Sequence, residues 1–351
     1  MLTMRDIATH VGVSVSTVSL VLNDRDGGRV RADVAQRIRQ VADELGYVPN
    51  LLARGLKTRQ TRTIGLLSDR VASIPFGGQM LAGAQVAAAE EGFLLMLIDT
   101  AGNHELDSPA VKALLQRNIE GFIVAAEFHR DVDLPLVPAS VPTVVLNGRP
   151  RNGDSTVDWV VPDEVGGAFA ATQYLIQAGH RRIAFCNVSS SEFVARSLRL
   201  AGYEAALSES GIPVDPSLIV EAAEPSAAAG RLPALEILQR SDRPTAVFCF
   251  SDQIAFGFYQ AAHQLGLQIP DDLSIVGFDN RQYVADSLLP GLTTIQLPHR
   301  EMGAWAAKQA IARTRAGSDQ APAHRLMPCP VIERDSVGPA TAHIGRGGSM
   351  P

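Results

Sequence analysis

Side chains able to grip a small polar molecule recur in this sequence at one kind of place, directly after short apolar runs. Ser68-Asp69 follows TIGLL, Asn147 follows TVVL, Ser251-Asp252 follows TAVFCF, and Asp279-Asn280 follows SIVGF. Carboxylates accept paired hydrogen bonds, while amides and hydroxyls both donate and accept, so such a set suits vicinal hydroxyls or a polar ring. Each residue also has a plainer reading, Asp252 as a helix cap and Asp279 as a turn residue. A second concentration of polar groups, GVSVSTVSLVLN at residues 12–23, interleaves Ser14, Ser16, Thr17 and Ser19 with aliphatics. Short hydroxyls let a backbone approach a major groove and bond phosphates or base edges. The same residues also suit a cap-rich surface helix with no partner. Signatures of covalent and metal chemistry are missing: the sequence has no G-x-S-x-G, no glycine loop between a strand and a helix, and no HExxH, HxxxH or CxxC.

The polar residues need elements to hold them. Thr3 and Asp6 have capping-box spacing, Ile7, Ala8 and Val11 form a stripe, and Gly12 ends a first helix. Ser14 caps a second helix, Val15 to Leu22, with Val18, Val21 and Leu22 on its inner face and Asn23 at its stop. A third runs from Ala32 to Leu45, its stripe being Val34, Ile38, Val41, Ala42 and Leu45. Helix, tight turn, helix and a supporting helix is the helix-turn-helix plan. From Thr63 onward, apolar runs of strand length alternate with helical stretches in two successive series, which indicates two doubly wound parallel sheets. Ligands of such sheets bind beyond the carboxyl ends of the strands, where the polar residues above fall.

Charge divides the chain in the same way. Residues 1–62 hold ten Lys/Arg against six Asp/Glu, a net of +4, whereas the whole chain carries −6. A small basic head on an acidic body fits a nucleic-acid-binding module joined to something else. At 351 residues with 46% hydrophobic content the chain is long enough for two or three packed units. It has no apolar run of membrane-spanning length and no signal-peptide h-region. The odd, widely separated Cys186, Cys249 and Cys329 read as small buried hydrophobes in a reducing compartment, so the expected location is the cytoplasm.

RDIATHVGVSVSTVSLVLN, then ADELGYVPN, then LARGLKT, resembles the head of the LacI/GalR family of bacterial transcriptional repressors, and the similarity continues through nearly the whole chain. The resemblance implies that Val15, Ser16 and Leu20 read bases, although Leu20, often Arg, His or Tyr in the family, can only pack on a thymine methyl. Ser14, Thr17, Ser19, Thr3 and Asn23 complete the candidate DNA-contacting face. Arg31 stands where the family usually caps the third helix with Ser; it cannot cap but can reach a phosphate. In NLLARGLKTR, Asn50 is an N-cap, and Leu52, Ala53 and Leu56 share a face interrupted by Gly55. Read alone this is an interdomain linker. By resemblance it is a hinge helix that orders when two copies meet in the minor groove, with Leu56 wedged between base pairs and Ala53, Arg54 and Lys57 beside it.

The implied fold is an all-α head followed by a periplasmic-binding-protein-like α/β body. Its expected boundaries are a DNA-binding domain at 1–49, a hinge at 50–62 and an effector-binding and dimerisation domain at 63–337. That domain divides into 63–162 plus 293–337 and 163–292, and a disordered tail occupies 338–351. By resemblance Arg199, Asp279 and Asn147 contact the effector and Phe76 walls the pocket; Ser251 and Asp252 complete the set. The expected function is a homodimeric, ligand-responsive regulator of a pseudo-palindromic operator. Its effector is a sugar or sugar derivative, with a nucleoside or purine as the alternative, and no cofactor, metal, membrane or catalytic role is implied. A solute-binding protein would share the body but not the basic head.

Overall fold

The computed structural model describes residues 2–47, 60–74, 77–151, 153, 156–316 and 321–340. The hinge candidates Asn50, Ala53, Arg54, Leu56 and Lys57, together with Phe76, lie outside these. Two compact units divide the chain, residues 1–61 and residues 62–351.

In the first unit, α1 (Met4–Val11), α2 (Val15–Leu22) and α3 (Ala32–Glu44) enclose a small core of Ile7, Ala8, Val18, Val21, Ala35, Ile38, Val41 and Ala42. The Asp6 carboxylate accepts from both the backbone N–H and the hydroxyl of Thr3 at 2.7 Å. Gly12 closes α1 at φ 78°, a left-handed conformation that costs glycine least. Along α3 the stripe sits one position off the reading at Val34, because Ala35 takes the buried place; Leu45 is exposed.

The second unit holds two six-stranded sheets. Sheet one has the order β11-β5-β4-β3-β1-β2, all parallel, from β1 (Thr63–Ser68), β2 (Leu94–Asp99), β3 (Gly121–Val132), β4 (Thr143–Pro150), β5 (Asp158–Pro162) and β11 (His324–Met327). Sheet two has the order β12-β10-β9-β8-β6-β7, from β6 (Ile183–Val188), β7 (Ile219–Ala222), β8 (Ala246–Cys249), β9 (Ser274–Asp279), β10 (Thr293–Gln296) and β12 (Val331–Ile332). Among these pairings only β12 runs antiparallel, against β10. Helices α4 (Gly77–Glu90) and α11 (His299–Ala316) cover one face of sheet one, and α5 (Asp107–Leu115) covers the other. On sheet two, α6 (Glu164–Gln177) and α7 (Ala195–Glu209) lie opposite α8 (Ala227–Leu238) and α9 (Asp252–Leu265), with the short α10 (Gln282–Ala285) beyond β9.

The division of the body needs one correction. The segment 293–337 does not belong wholly to the first subdomain: β10 pairs in parallel with β9, Thr293 opposite Val276, and β12 pairs with β10. Only α11 and β11 return to sheet one. An apolar edge strand looks the same in sequence whichever sheet it joins, so periodicity could not assign β10. The chain therefore passes between the sheets three times, after β5, after β10 and after β11. The tail also begins later than Gly338, whose N–H donates to Ser274 and whose carbonyl lies against His180, while the Ala340 N–H donates to the Ala178 carbonyl. Residues 341–351 lie outside the described set.

Helices α4 and α11 cross at two glycines. A Cβ on Gly83 would stand 1.9 Å from the Arg300 carbonyl oxygen, and one on Gly303 would stand 2.0 Å from that of Met80. Both obstacles are backbone and cannot swing aside. Gly83→Ala is therefore expected to destabilise the body, although alanine is the better helix former. Overpacking costs about 1–3 kcal/mol and exceeds the ~1 kcal/mol gained in propensity. Urea denaturation checks this, and an unchanged or raised midpoint would contradict the close crossing.

Candidate functional site

The carboxyl ends of both sheets face a cavity of about 330 Å³. Phe128, Phe193 and Phe250 form its apolar wall: Phe128 and Phe193 meet across the two subdomains at 4.9 Å between centroids, and Phe193 meets Phe250 edge-on at 6.0 Å. The polar lining comes from Glu127, His129 and Asn147 of the first subdomain and from Glu164, Arg199, Ser251, Asp279 and Arg281 of the second, with His299 at the second crossing.

Arg199, on α7, organises the second-subdomain wall. Its Nε donates to Glu164 Oε2 at 2.8 Å, an Nη donates to the Phe250 carbonyl, and the guanidinium lies 3.7 Å from Asp279 Oδ1. The guanidinium plane also covers the Phe278 ring at 3.6 Å and the Phe250 ring at 4.4 Å. Burial by itself would raise the Glu164 carboxyl, but Arg199 and then His129 overcome this and hold it near 2. Glu164 is thus a permanent anion, and Arg199 is the cation that makes its burial tolerable.

The first-subdomain wall is built by an irregularity. β3 and β4 pair regularly as far as Ala125 opposite Leu146, and resume at Arg130 opposite Gly148. Asn147 alone faces the extra residues between. It takes φ 62°, a conformation asparagine tolerates better than most side chains, and its amide donates to the carbonyls of Ala126 and Glu127. The bulge throws Glu127, Phe128 and His129 into the cavity.

Of the residues singled out in sequence, Arg199, Asp279, Asn147 and Ser251 come together around this cavity. Asn147 lines it while holding the bulge, and Ser251 lines it while capping α9 through the Ile254 N–H. Asp252 does not join them. It is fully buried behind the wall, accepting from Thr294 Oγ1 and the Arg281 N–H, so its carboxylate ties β10 to the turn after β9. Burial, followed by the charge of Asp279, pushes the Asp252 carboxyl well up, and burial raises Asp279 as well. Asp69 pairs with Arg130 rather than lining the cavity. Sequence reading missed Glu164, His129, His299 and the phenylalanine wall. Glu164 opens a helix immediately after β5, a recoverable signal; the bulge that presents His129 left none. Burial lowers the His299 imidazole to about 4, which keeps it neutral.

In the head, Val15 (42% exposed) and Ser16 lie on the open face of α2, and Ser19 and Leu20 are half-buried beside them. Ser14 accepts from the Thr17 N–H and its hydroxyl pairs with that of Thr17 at 2.8 Å. The Asn23 amide donates to the Ser19 carbonyl. Arg31 is paired side by side with Asp33 at 3.2 and 2.7 Å, both exposed, so a phosphate would have to displace that carboxylate. Among the described residues no helix is long and apolar enough to cross a membrane, and no cluster of three or more His, Cys, Asp or Glu could hold a metal. All three cysteines are free and buried.

A helix-turn-helix head joined to a two-subdomain, cleft-bearing α/β body defines a ligand-binding transcription regulator. The bacterial regulatory proteins of the lacI family match residues 3–50, and the periplasmic binding protein-like domain matches residues 172–337. This chain belongs to the LacI family. It is similar to the ribose operon repressor of Haemophilus influenzae, 36% identical over 319 residues, which covers 90% of this chain and 92% of the relative. It is also similar to the HTH-type transcriptional repressor PurR of Vibrio atlanticus, 31% identical over 96% of this chain and 99% of that one. Among solved structures, a lac repressor dimer bound to operator and an anti-inducer aligns over 96% of this chain and 99% of its own, with a TM-score of 0.76 and 25% identity. These relatives are transcriptional repressors.

Proposed function

We propose that two copies of this chain bind a pseudo-palindromic operator and that a monosaccharide-sized polyol in the cleft changes their affinity for it. The cavity carries this reading. At about 330 Å³ it stands at the small end of ligand pockets, which span roughly 300–1,000 Å³. Its wall pairs an apolar face with carboxylate, guanidinium, amide and imidazole groups, the complement of a ring with one apolar face and hydroxyls around its rim. The ribose operon repressors among the relatives favour an aldopentose. A purine or nucleoside is the second reading, favoured by the ring pair Phe128–Phe193 and by the similarity to PurR.

In the head, Val15, Ser16 and Leu20 would face base edges, with Thr3, Ser14, Thr17, Ser19, Asn23 and Arg31 toward the backbone. Asn50, Ala53, Arg54, Leu56 and Lys57 would form the minor-groove hinge. Ligand binding would alter how the subdomains meet and so the spacing of paired heads, a coupling of about 1–3 kcal/mol in proteins of this kind. The test is thermal-shift and calorimetric titration with aldopentoses, aldohexoses, cellobiose, hypoxanthine and guanine. An aldopentose at 100 times its Kd is expected to stabilise the body by about 2.7 kcal/mol. A response to the purines alone would replace the sugar reading with the second one.

A further inference from the structure

His129 is buried at 4% exposure in the cavity wall, and neither ring nitrogen has a hydrogen-bond partner. Such an arrangement is costly, since a buried polar atom without a partner has given up its hydration and gained no hydrogen bond in return. It stays in place because the bulge on β3, held by the two Asn147 hydrogen bonds, fixes the backbone beneath it. Nδ1 lies 3.6 Å from Glu164 Oε1 on the other subdomain. Glu164 can only accept, so with the ring as its Nδ1–H tautomer the hydrogen faces Glu164. Nε2 then carries a lone pair and can only accept.

We propose, building on the cleft reading above, that His129 is a specificity-determining ligand contact: Nε2 accepts a hydrogen bond from a ligand hydroxyl while Nδ1–H turns to Glu164 on the opposite subdomain. The ligand chemistry follows from the lone pair. A hydroxyl satisfies it, whereas a hydrogen in its place leaves the atom bare and a carbonyl or carboxylate oxygen opposes it. Discrimination against the deoxy analogue therefore arises from an unfilled buried acceptor. Because His129 and Glu164 lie on different subdomains, filling Nε2 also polarises the ring toward Glu164 and tightens the contact between the two halves.

His129→Phe and His129→Gln, in the full-length chain, provide the test through two readouts. The first needs no ligand. A third variant, His129→Asn, keeps a donor at the place of Nδ1 and removes Nε2, so with Nε2 unpartnered it holds the urea midpoint of the unliganded protein, whereas a clear fall would mean that Nε2 has a structural partner and would overturn the proposal. The second is calorimetric titration of D-ribose and of its 2-deoxy and 5-deoxy analogues against both variants and the native chain. The expected result is a loss of at least 10-fold in D-ribose affinity in His129→Phe, with partial recovery in His129→Gln, whose amide oxygen can accept. One deoxy analogue should bind the native chain weakly and His129→Phe no worse. Equal D-ribose affinity in the native chain and His129→Phe refutes the proposal. If no sugar binds the native chain, the sugar reading fails, and the unliganded midpoint alone decides whether Nε2 is an open acceptor.

Discussion

Arg199→Ala is expected to destabilise the body by about 3–5 kcal/mol, because removing one partner of a buried pair strands the other charge. The stranded group is Glu164, and with it the second-subdomain wall loses the cation covering Phe250 and Phe278. The effect carries a pH signature. In the native chain the Glu164 carboxyl is held near 2, below its ordinary 4.5, so it contributes stability at neutral pH that is lost as the pH falls from about 4.5 toward 2. Without Arg199, burial dominates and raises that carboxyl above its unfolded value, so the variant is relieved by protonation. The stability gap between native and variant chains is therefore widest at pH 7 and narrows toward pH 4, as urea titrations at the two values would show. A gap that is equal at both, or below about 1 kcal/mol, would mean that Glu164 has another counter-charge. Replacing both residues, Arg199→Met with Glu164→Leu, should recover most of the loss, since an apolar pair can substitute for a buried ion pair.

Raising salt from 50 to 200 mM is expected to weaken operator binding by roughly 10³–10⁵-fold if a dimer neutralises about 6–10 phosphates. Residues 1–62, where those contacts are proposed to lie, carry a net charge of +4, and the remainder of the chain is acidic. A chain beginning at residue 62 should thus lose operator binding entirely while its ligand titration is unchanged, because 62–351 forms a compact unit of its own. Electrophoretic mobility shifts over a salt series, on the full and shortened chains, measure both. A flat salt response would contradict the phosphate contacts assigned to the head, and operator binding by the shortened chain would place the DNA contacts elsewhere.

How far the sequence could be read depended on how local each feature is. The head was legible nearly residue by residue because caps, a glycine stop and 3.6-residue stripes are local signals; only the choice between Val34 and Ala35 and the exposure of Leu45 escaped, both at the margin of a stripe. The strands of the body were legible as apolar runs, and their carboxyl ends correctly pointed to where the cavity lies. Membership in a sheet was not legible, as β10 demonstrates, because it depends on a partner far away in sequence. Asp252 and Asp279 have similar positions at strand ends, yet one faces the cavity and the other lies behind it; the difference lies in Thr294 and the turn at Arg281, which reach Asp252 from a distance. His129 was invisible for the same reason, since only the pairing of β3 with β4 reveals the bulge.

The three passages between the sheets also set an order in time. Sheet one lacks its edge strand β11 until residues 324–327 exist, and sheet two lacks β12 until residues 331–332 follow. The head, by contrast, is closed by contacts within its first 47 residues. At a synthesis rate of about 5–20 residues per second, the head emerges roughly 15–60 s before either half of the body can be completed. During that interval a nascent chain carries a finished DNA-reading surface but no finished cleft, so it can meet DNA before it can sense a ligand. Residues 324–332 thus mark the moment at which a tethered head becomes a regulated one.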